Sequence, residues 1–303
     1  MAHDHAHAPP SGRGRLAVAL GITAAVLVAE VIGSIITGSL ALLVDAAHML
    51  TDAGGLAIAL VAATLVNRPP TAKRTWGFGR AEVLGATAQA AILLGVGVFV
   101  IIEAVRRLFD PPEIAGPQLV IFGVIGLLGN VASIAVLASS RTRNLNLRAA
   151  FLEVLNDAVG SVAVIVAALV IVFTGFQLAD AIAAILIGAL ILPRAVLLLR
   201  DTTNVLLEST PKGLDLDAVR GHLLGLDHVR SVHDLHVSQI ATGLPVLTAH
   251  VVVDDECFYD GHAPRMLDDL QKCVAEHFDV QIEHSTFQLE LAEHGKHEHP
   301  THD

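Results

Sequence analysis

The sequence predicts a helical membrane protein that carries a small soluble α/β domain at its C-terminal end. Of its 303 residues, 53% are hydrophobic and only 16% are charged, a composition too apolar for an ordinary soluble domain. Apolar residues concentrate in long stretches before Arg200, whereas alternating and amphipathic patterns follow it. We therefore predict an all-α six-helix transmembrane bundle followed by a cytosolic domain of order αββαβ.

Six apolar stretches each have the length of a membrane span, because about 30 Å of hydrocarbon takes roughly 20 helical residues to cross. Gly38 and Ser39 separate the first two stretches so closely that the helices must form a hairpin, and residues 174–177 do the same for the last two. The N-terminal residues lack the pattern of a cleaved secretory signal, so the first stretch should stay as a span. The predicted spans are residues 16–36, 40–66, 83–105, 118–138, 149–173 and 178–199.

Basic residues beside the spans predict the orientation, because cytoplasmic flanks carry an excess of lysine and arginine. With the N-terminus inside, only Arg106 and Arg107 lie on the outer side. Both termini should therefore face the cytosol, and the short loops favour the plasma membrane of a bacterium, which is its inner membrane where there are two. The basic residues that this topology puts inside are Arg13, Arg15, Arg68, Lys73, Arg74, Arg80, Arg141, Arg143, Arg148, Arg194 and Arg200.

The segment after Arg200 changes from continuous to alternating hydrophobicity, which is typical of a two-layer α/β domain with its helices on one face of a sheet. Its predicted elements are a helix starting near Asp215, strands over 229–241 and 245–255, a helix over 262–278 and a strand over 280–291. The predicted domains are a His-rich cytosolic N-terminal tail (1–15), the transmembrane domain (16–203), the cytosolic α/β metal-binding domain (204–291) and a His-rich C-terminal tail (292–303).

The charge balance and the cysteine count exclude two further classes of protein. The formal net charge is −11 and the sequence has no long basic run, so a nucleic-acid partner has little electrostatic support. Two cysteines cannot build a disulfide framework, and we expect Cys257 and Cys273 to be ordinary thiols of a cytosolic domain.

Ionisable residues inside the predicted spans are the first functional candidates, because each costs a few kcal/mol or more to bury in lipid. Two pairs have a spacing of four residues, which puts both side chains on one helix face: His48 with Asp52, and Glu153 with Asp157. Packed together, the two faces would offer one imidazole and three carboxylates. A structural role is expected for the ionisable residues without such a partner, namely Glu30, Asp45, Glu103 and Asp180.

The four paired side chains have the chemistry of a transition-metal site. Four such ligands can enclose a divalent cation tetrahedrally, and the imidazole favours Zn²⁺, Co²⁺ or Fe²⁺ over Mg²⁺ or Ca²⁺. Three carboxylates outweigh the charge of the ion, so we expect the empty site to hold at least one proton that metal binding expels. The pairs therefore predict exchange of H⁺ for a divalent metal, and the alternative is interhelical hydrogen bonding that only stabilises the bundle.

Segments along the chain resemble motifs of the cation diffusion facilitator family of zinc and heavy-metal exporters: SLALLVDAAHMLTDAGG, WGFGRAEVLGA, AFLEVLNDAVGS, LLESTP and HDLHV. The resemblance implies six membrane helices, a metallochaperone-like cytosolic domain and a homodimer in the lipid bilayer. It also implies export of cytosolic Zn²⁺, or of Co²⁺ or Cd²⁺, in exchange for protons by alternating access, with His48, Asp52 and Asp157 at transport-site positions. Glu153 stands where zinc-selective members commonly have histidine, and this harder ligand leaves Mn²⁺ or Fe²⁺ open as the physiological ion.

The resemblance further implies a regulatory metal site in the cytosolic domain. His233, His250 and His284 match its ligand-bearing positions, and His262 and Glu290 are weaker matches. Histidines on adjacent strands can converge on Zn²⁺ at about 2.0–2.1 Å. The sequence therefore predicts a second group of metal ligands, outside the membrane.

The remaining histidines carry weaker expectations. We expect His222 and His236 to be surface residues of the cytosolic domain. The two His-rich tails either raise the local metal concentration as weak ligands or are dispensable, and the sequence does not choose between these roles. The tail histidines are His3, His5, His7, His294, His297, His299 and His302.

Three other classes of function compete with proton-coupled transport. A membrane metalloenzyme would need a motif such as HExxH or a nucleophile beside a base, and neither occurs in the predicted spans. A membrane-anchored metal sensor or storage protein needs one anchoring helix rather than six spans with buried acids. A passive channel does not need protonatable ligands, and its flux would not depend on a pH gradient. The sequence therefore favours a secondary active transporter over an enzyme, a sensor or a channel.

Overall fold

The computed structural model describes the backbone of residues 10–66, 68–138 and 145–294, and the side chains of residues 18–51, 53–54, 61, 65, 68–138 and 151–294. Long helices come first and the α/β elements follow, as the hydropathy pattern predicts. Over the described residues, α1, α3, α4, α5 and α6 are long and apolar enough to cross a membrane, and α2 is apolar from Leu40 to Thr51. The helices are α1 (Pro10–Thr37), α2 (Leu40–Val66), α3 (Arg80–Phe109), α4 (Gly116–Ala138), α5 (Leu145–Thr174) and α6 (Leu178–Leu206).

The chain divides into two compact units, and each combines separate stretches of sequence. Within the described residues, the first unit contains the chain up to Ala59 together with Ala88–Leu199. The second unit contains Leu60–Thr87, which includes the connection between α2 and α3, together with the chain from Arg200 onward. The two compact units are therefore not separated by a single cut in the sequence.

Close helix packing in the first unit depends on small residues. Helix α4 packs against both α1 and α5. A methyl group on Gly129 would clash with Cγ2 of Val26, and one on Gly123 would lie 2.8 Å from Cγ1 of Ile165. Glycine at these positions lets the helix backbones approach where a larger residue would force them apart. The surrounding core is aliphatic and includes Leu42, Val100, Leu119, Val164 and Ala184.

Asp180 shows how a buried acid can serve the bundle rather than a ligand. Its carboxylate accepts a hydrogen bond from the Ser39 hydroxyl and another, of 2.7 Å, from the backbone N–H of Leu40. These contacts satisfy donors at the start of α2 that have no partner within the helix. Glu103 lies on α3 and accepts a hydrogen bond of 3.3 Å from Arg107, one turn later. Both acids thus have the structural contacts expected of them.

The second unit contains the predicted αββαβ domain, with a short 3-10 helix (Asp255–Phe258) after the second strand. Strand β2 is central: it pairs antiparallel with β1 and parallel with β3. The αββαβ order of the prediction is thus confirmed. The elements are α7 (Leu216–Leu224), β1 (Val229–Ala241), β2 (Leu244–Val253), α8 (Ala263–Glu276) and β3 (His284–Glu290).

Alternation along β2 separates the core of this domain from its opposite face. Leu247 and Val251 are fully buried in a core shared with Leu223 of α7 and Leu270 of α8. Because successive side chains of a strand point to opposite faces, His250 lies on the face away from this core. The sheet therefore has one face that packs against helices and one that carries polar side chains.

Candidate metal-binding sites

The structure brings the facing sides of α2 and α5 together inside the first unit. His48 on α2 and Asp157 on α5 are only 4% and 3% exposed. Nε2 of His48 lies 3.8 Å from Oδ1 of Asp157. Two of the four predicted membrane ligands are therefore adjacent and shielded from solvent.

Of the other two predicted membrane ligands, the structure describes the side chain of Glu153 but not that of Asp52. Asp52 lies in the helix α2, and its side chain is outside the described residues. Glu153 is half-buried, and its Oε1 accepts a hydrogen bond of 3.4 Å from Nη2 of Arg194 on α6. The carboxylate of Glu153 thus has a basic partner beside the His48–Asp157 contact.

Arg194 is the residue of this region that the sequence interpretation missed. The positive flanks of the spans predict only that it faces the cytoplasm, whereas the structure places it inside α6, which continues to Leu206. A cavity of about 180 Å³ has Arg194, His48 and Asp45 among its lining residues. The sequence does contain a signal for this role, because Arg194 lies within an apolar helix. An arginine in such a helix needs a nearby acid when part of its side chain is buried.

Two further acids of the first unit are buried against helix backbones. Glu30 and Asp45 are each 1% exposed. A methyl group on Gly126 would lie 2.7 Å from Oε1 of Glu30, and one on Gly160 would lie 2.5 Å from Oδ1 of Asp45. These glycines therefore let carboxylates of α1 and α2 reach α4 and α5. Asp45 also lines the cavity that His48 lines.

A second cluster lies on the polar face of the sheet in the second unit. His233 and His250 are direct partners in the β1–β2 register, and their ring centroids are 5.3 Å apart. Glu290 is 3% exposed, with Oε1 2.7 Å from Nδ1 of His250 and Oε2 3.4 Å from Nε2 of His233. Ligand atoms of a tetrahedral zinc ion lie roughly 3.3 Å apart, given metal–ligand distances of about 2.0–2.1 Å. The three side chains therefore fit a zinc ion in both chemistry and spacing.

His284 and His262 do not join this cluster within the chain. His284 pairs with Val246 in the β2–β3 register, whereas His250 pairs with Gln288, roughly 13 Å further along the strand. The exposed ring of His284 instead meets Trp76 edge-on, with centroids 4.7 Å apart. The structure thus unites two of the three principal predicted histidines with Glu290, which was a weaker match.

His262 belongs to a separate contact at the start of α8. Its Nδ1 lies 2.6 Å from Oδ2 of Asp260, and its ring centroid lies 5.6 Å from that of His228. The hydrogen bond from His262 lowers the pKa of Asp260 below its ordinary value. Among the tail histidines only His294 is described, and the other six lie outside the described residues.

Comparison with known families assigns the fold and its two parts. Residues 16–207 match the cation efflux transmembrane domain, and residues 211–292 match the cytoplasmic domain of cation efflux proteins. The chain belongs to the cation diffusion facilitator family of metal efflux transporters. The family resemblance of the motifs is therefore confirmed, and the chain is a multi-pass membrane protein.

Characterised relatives match this family member over nearly their whole length. It is 42% identical to the metal cation efflux system protein CzcD of Cupriavidus metallidurans, over 96% of this chain and 91% of the relative. It is 39% identical to the zinc transporter ZitB of Escherichia coli, over 96% and 93%. It is 34% identical to a cadmium, cobalt and zinc/H(+)-K(+) antiporter of Bacillus velezensis, over 97% and 93%. These relatives support divalent metal cation efflux as the general function of this family member.

Proposed function

We propose that this protein exports divalent transition-metal ions, Zn²⁺ first among them, from the cytosol in exchange for protons by alternating access. The observation that carries the proposal is the buried contact between His48 and Asp157, which joins an imidazole on α2 to a carboxylate on α5. Relatives whose names identify a zinc transporter and an H⁺-coupled antiporter support the ion and the coupling.

The transported ion is bound by His48, Asp52, Glu153 and Asp157. Asp52 follows His48 by one helical turn, and Glu153 precedes Asp157 by one turn, so each helix supplies two ligands from one face. The ion gives up water and receives one nitrogen and three carboxylate oxygens. Because the three carboxylates carry more negative charge than the ion neutralises, protons take the place of the ion when it leaves.

Arg194 acts as an internal competitor for the transported ion. Its guanidinium pairs with Glu153, so this carboxylate must exchange the arginine for the metal when the ion enters. The side chain of Arg194 is 56% exposed, which gives it room to turn away. A small rearrangement of α6 against α5 is then sufficient to change the number of carboxylates available to the ion.

The cytosolic domain binds a regulatory ion through His233, His250 and Glu290. These side chains come from three adjacent strands, so the ion would join the whole sheet on its polar face. The domain also forms the homodimer, in agreement with its match to the cytoplasmic domain of cation efflux proteins. The protein lies in a bacterial inner membrane. Both of its termini face the cytosol, as the basic flanks of the spans favour.

Transport by purified protein in proteoliposomes tests the proposal. With Zn²⁺ outside and an acidic lumen, the wild type should accumulate Zn²⁺ as protons leave. Asp157→Asn removes one ligand and should lower this rate at least about tenfold, since even indirect supports of a metal ligand are worth that much. Glu103→Gln is the matched control, because Glu103 is a membrane-helix acid whose partners are Arg106 and Arg107.

Each alternative has its own result in the same assay. Normal transport by Asp157→Asn would show that the ligand assignment is wrong. Zn²⁺ flux that does not depend on the pH gradient would indicate a channel. Absence of flux from a protein that still binds metal would indicate a sensor or storage protein. Competition by Mn²⁺ or Fe²⁺ at lower concentrations than Zn²⁺ would make one of them the physiological ion.

A further inference from the structure

A third group of metal-ligating side chains lies between the two helices of the cytosolic domain. His222 is on α7, Cys273 is on α8, and His277 is the C-terminal cap of α8. One ligand atom from each residue lies within 4.8 Å of the other two. The spacing of Cys273 and His277 is one helical turn, so both side chains leave α8 on the same face.

The hydrogen bonding of His277 prepares its ring for a metal. Nδ1 of His277 lies 3.1 Å from the backbone carbonyl oxygen of Cys273. A carbonyl oxygen only accepts hydrogen bonds, so Nδ1 carries the proton and Nε2 keeps its lone pair. Histidines that ligate metals usually donate their other ring N–H to such a carbonyl or carboxylate, which fixes the tautomer and the ring orientation.

The two remaining side chains combine restraint with access. The ring of His222 meets Phe278 edge-on, with centroids 5.1 Å apart, and its centroid lies 5.6 Å from that of His277. Cys273 is 4% exposed, whereas both histidines are exposed. A metal ion would therefore reach the group from solvent and contact a sulfur that is otherwise buried.

This group is separate from the cluster of His233, His250 and Glu290. Helices α7 and α8 pack on the face of the sheet that carries Leu247 and Val251, and His250 points to the other face. The ligand chemistry differs as well, because a thiolate is softer than a carboxylate and favours Zn²⁺, Cd²⁺ or Co²⁺ over Mn²⁺.

We propose that His222, Cys273 and His277 form a second cytosolic metal site, which takes a thiophilic divalent ion and ties α7 to α8. On binding, the Cys273 S–H bond gives its proton to solvent and an S–metal bond forms, while both imidazoles donate nitrogen lone pairs. A tetrahedral ion then keeps one position for water. Cys273 and His222 are thus ligands, rather than the ordinary thiol and surface histidine that the sequence led us to expect.

Titration of the full chain in detergent with Co²⁺ alone tests this site directly. A cysteine ligand gives a thiolate-to-cobalt charge-transfer band in the near ultraviolet, and histidine and carboxylate ligands do not. The sequence has only two cysteines, so Cys257→Ser is a matched control for Cys273→Ser. We expect the band in the wild type and in Cys257→Ser, and its loss in Cys273→Ser.

The two histidine variants keep the test decisive if Cys273→Ser fails to fold. His222→Ala and His277→Ala change exposed side chains, and each should raise the Co²⁺ concentration needed for half of the band at least about tenfold. Absence of the band from the wild type, its persistence in Cys273→Ser, or unchanged Co²⁺ dependence in both histidine variants would overturn the proposal. None of these variants changes a membrane ligand. A negative result would therefore disprove this site without contradicting the proposed metal transport.

Discussion

The membrane cluster and the cluster on the sheet use the same residue types in opposite proportions. At the proposed membrane site, one imidazole would be accompanied by three carboxylates; on the sheet, His233 and His250 accompany Glu290 alone. With a +2 ion bound, three carboxylates would leave a net charge of −1, whereas one carboxylate would leave +1. Protons would then be attracted to the first site and repelled by the second. The first composition therefore suits release of a cargo ion, and the second suits retention of a resident one.

The scaffolds of the two clusters also differ in how rigidly they fix the positions of the ligands. His233, His250 and Glu290 lie on three strands joined by backbone hydrogen bonds, so their relative positions are set by the register of the sheet. His48 and Asp157 lie on different helices, whose side-chain packing can rearrange without breaking backbone hydrogen bonds within either helix. A ligand set divided between two helices can thus open and close, while one on a sheet stays in place.

The largest expected effect comes from removing two of the three ligands on the sheet. His233→Ala combined with His250→Ala should lower the number of tightly bound Zn²⁺ ions by one per chain and weaken that site more than about 100-fold, since it leaves only Glu290. Transport ligands should be unaffected. Equilibrium dialysis of the full chain against Zn²⁺, together with the proteoliposome assay, measures both quantities.

His236→Ala is the control for that double variant. His236 is exposed on the same strand, and its Nε2 lies 3.4 Å from Asp234 rather than beside Glu290. His236 pairs with Thr248 on the same polar face, so equal loss of Zn²⁺ from the control and the double variant would show that the loss is not specific to the clustered side chains. Unchanged Zn²⁺ binding in the double variant would contradict the proposed cytosolic site itself.

The next effect concerns the ion that the membrane site prefers. Glu153→His exchanges a hard carboxylate for a softer imidazole and removes one negative charge, so it should favour Zn²⁺ over Mn²⁺ by about tenfold. Competition between the two ions for transport in proteoliposomes measures the ratio. Glu103→Gln should leave the ratio unchanged. A ratio that stays the same in Glu153→His would mean that Glu153 does not contact the transported ion. The membrane site would then have two carboxylates rather than three in the comparison of its net charge with that of the sheet cluster.

Local geometry explains how much of these sites could be predicted from sequence. A spacing of four residues puts Glu153 and Asp157 on one face of any α-helix, whatever the rest of the fold does. Alternation of apolar and polar residues likewise predicts that His250 lies in a β-strand. These features depend on neighbours in the chain, and the sequence contains them in full.

The parts that could not be predicted depend on contacts between distant segments. The parallel register of β2 and β3 decides that Glu290, and not His284, lies beside His250. Which side of α6 meets α5 decides that Arg194 pairs with Glu153. In both cases the individual residues were visible in the sequence, but a shift of one turn or two strand positions would have chosen different partners.

A smaller effect is expected from the arginine beside the membrane site. Arg194→Gln should raise the apparent Zn²⁺ affinity of transport by no more than about fivefold, because an exposed ion pair is worth about 0.2–1 kcal/mol. Zn²⁺ dependence of the initial transport rate measures this change. Arg194→Lys keeps the charge and should behave like the wild type. Lower affinity in Arg194→Gln would show that the guanidinium supports the carboxylate for metal binding instead of competing with the ion.

The smallest effect comes from a histidine–carboxylate pair that lacks the burial of both clusters. Asp254 accepts a hydrogen bond of 2.5 Å from Nε of Arg230 and lies 3.0 Å from Nδ1 of His228. The hydrogen bond from Arg230, followed by that from His228, holds the pKa of Asp254 below its ordinary value. A carboxyl whose pKa is lower in the folded state adds stability above its unfolded pKa of about 4, and this is lost as the pH falls through the folded value.

Asp254→Asn should therefore lower the melting temperature slightly at pH 7, and the effect should shrink as the pH falls from about 4 through the lower folded pKa, below which the wild type also lacks the charge. Melting curves of the full chain in detergent, with and without Zn²⁺, measure the difference. Because Asp254 is only partly buried and accepts from a guanidinium, Zn²⁺ should not change the effect of Asp254→Asn, whereas the effect of replacing the buried Glu290 should depend on Zn²⁺. A Zn²⁺-dependent effect of Asp254→Asn would mean that proximity of a histidine and an acid is enough to bind metal in this domain, without burial or a third ligand.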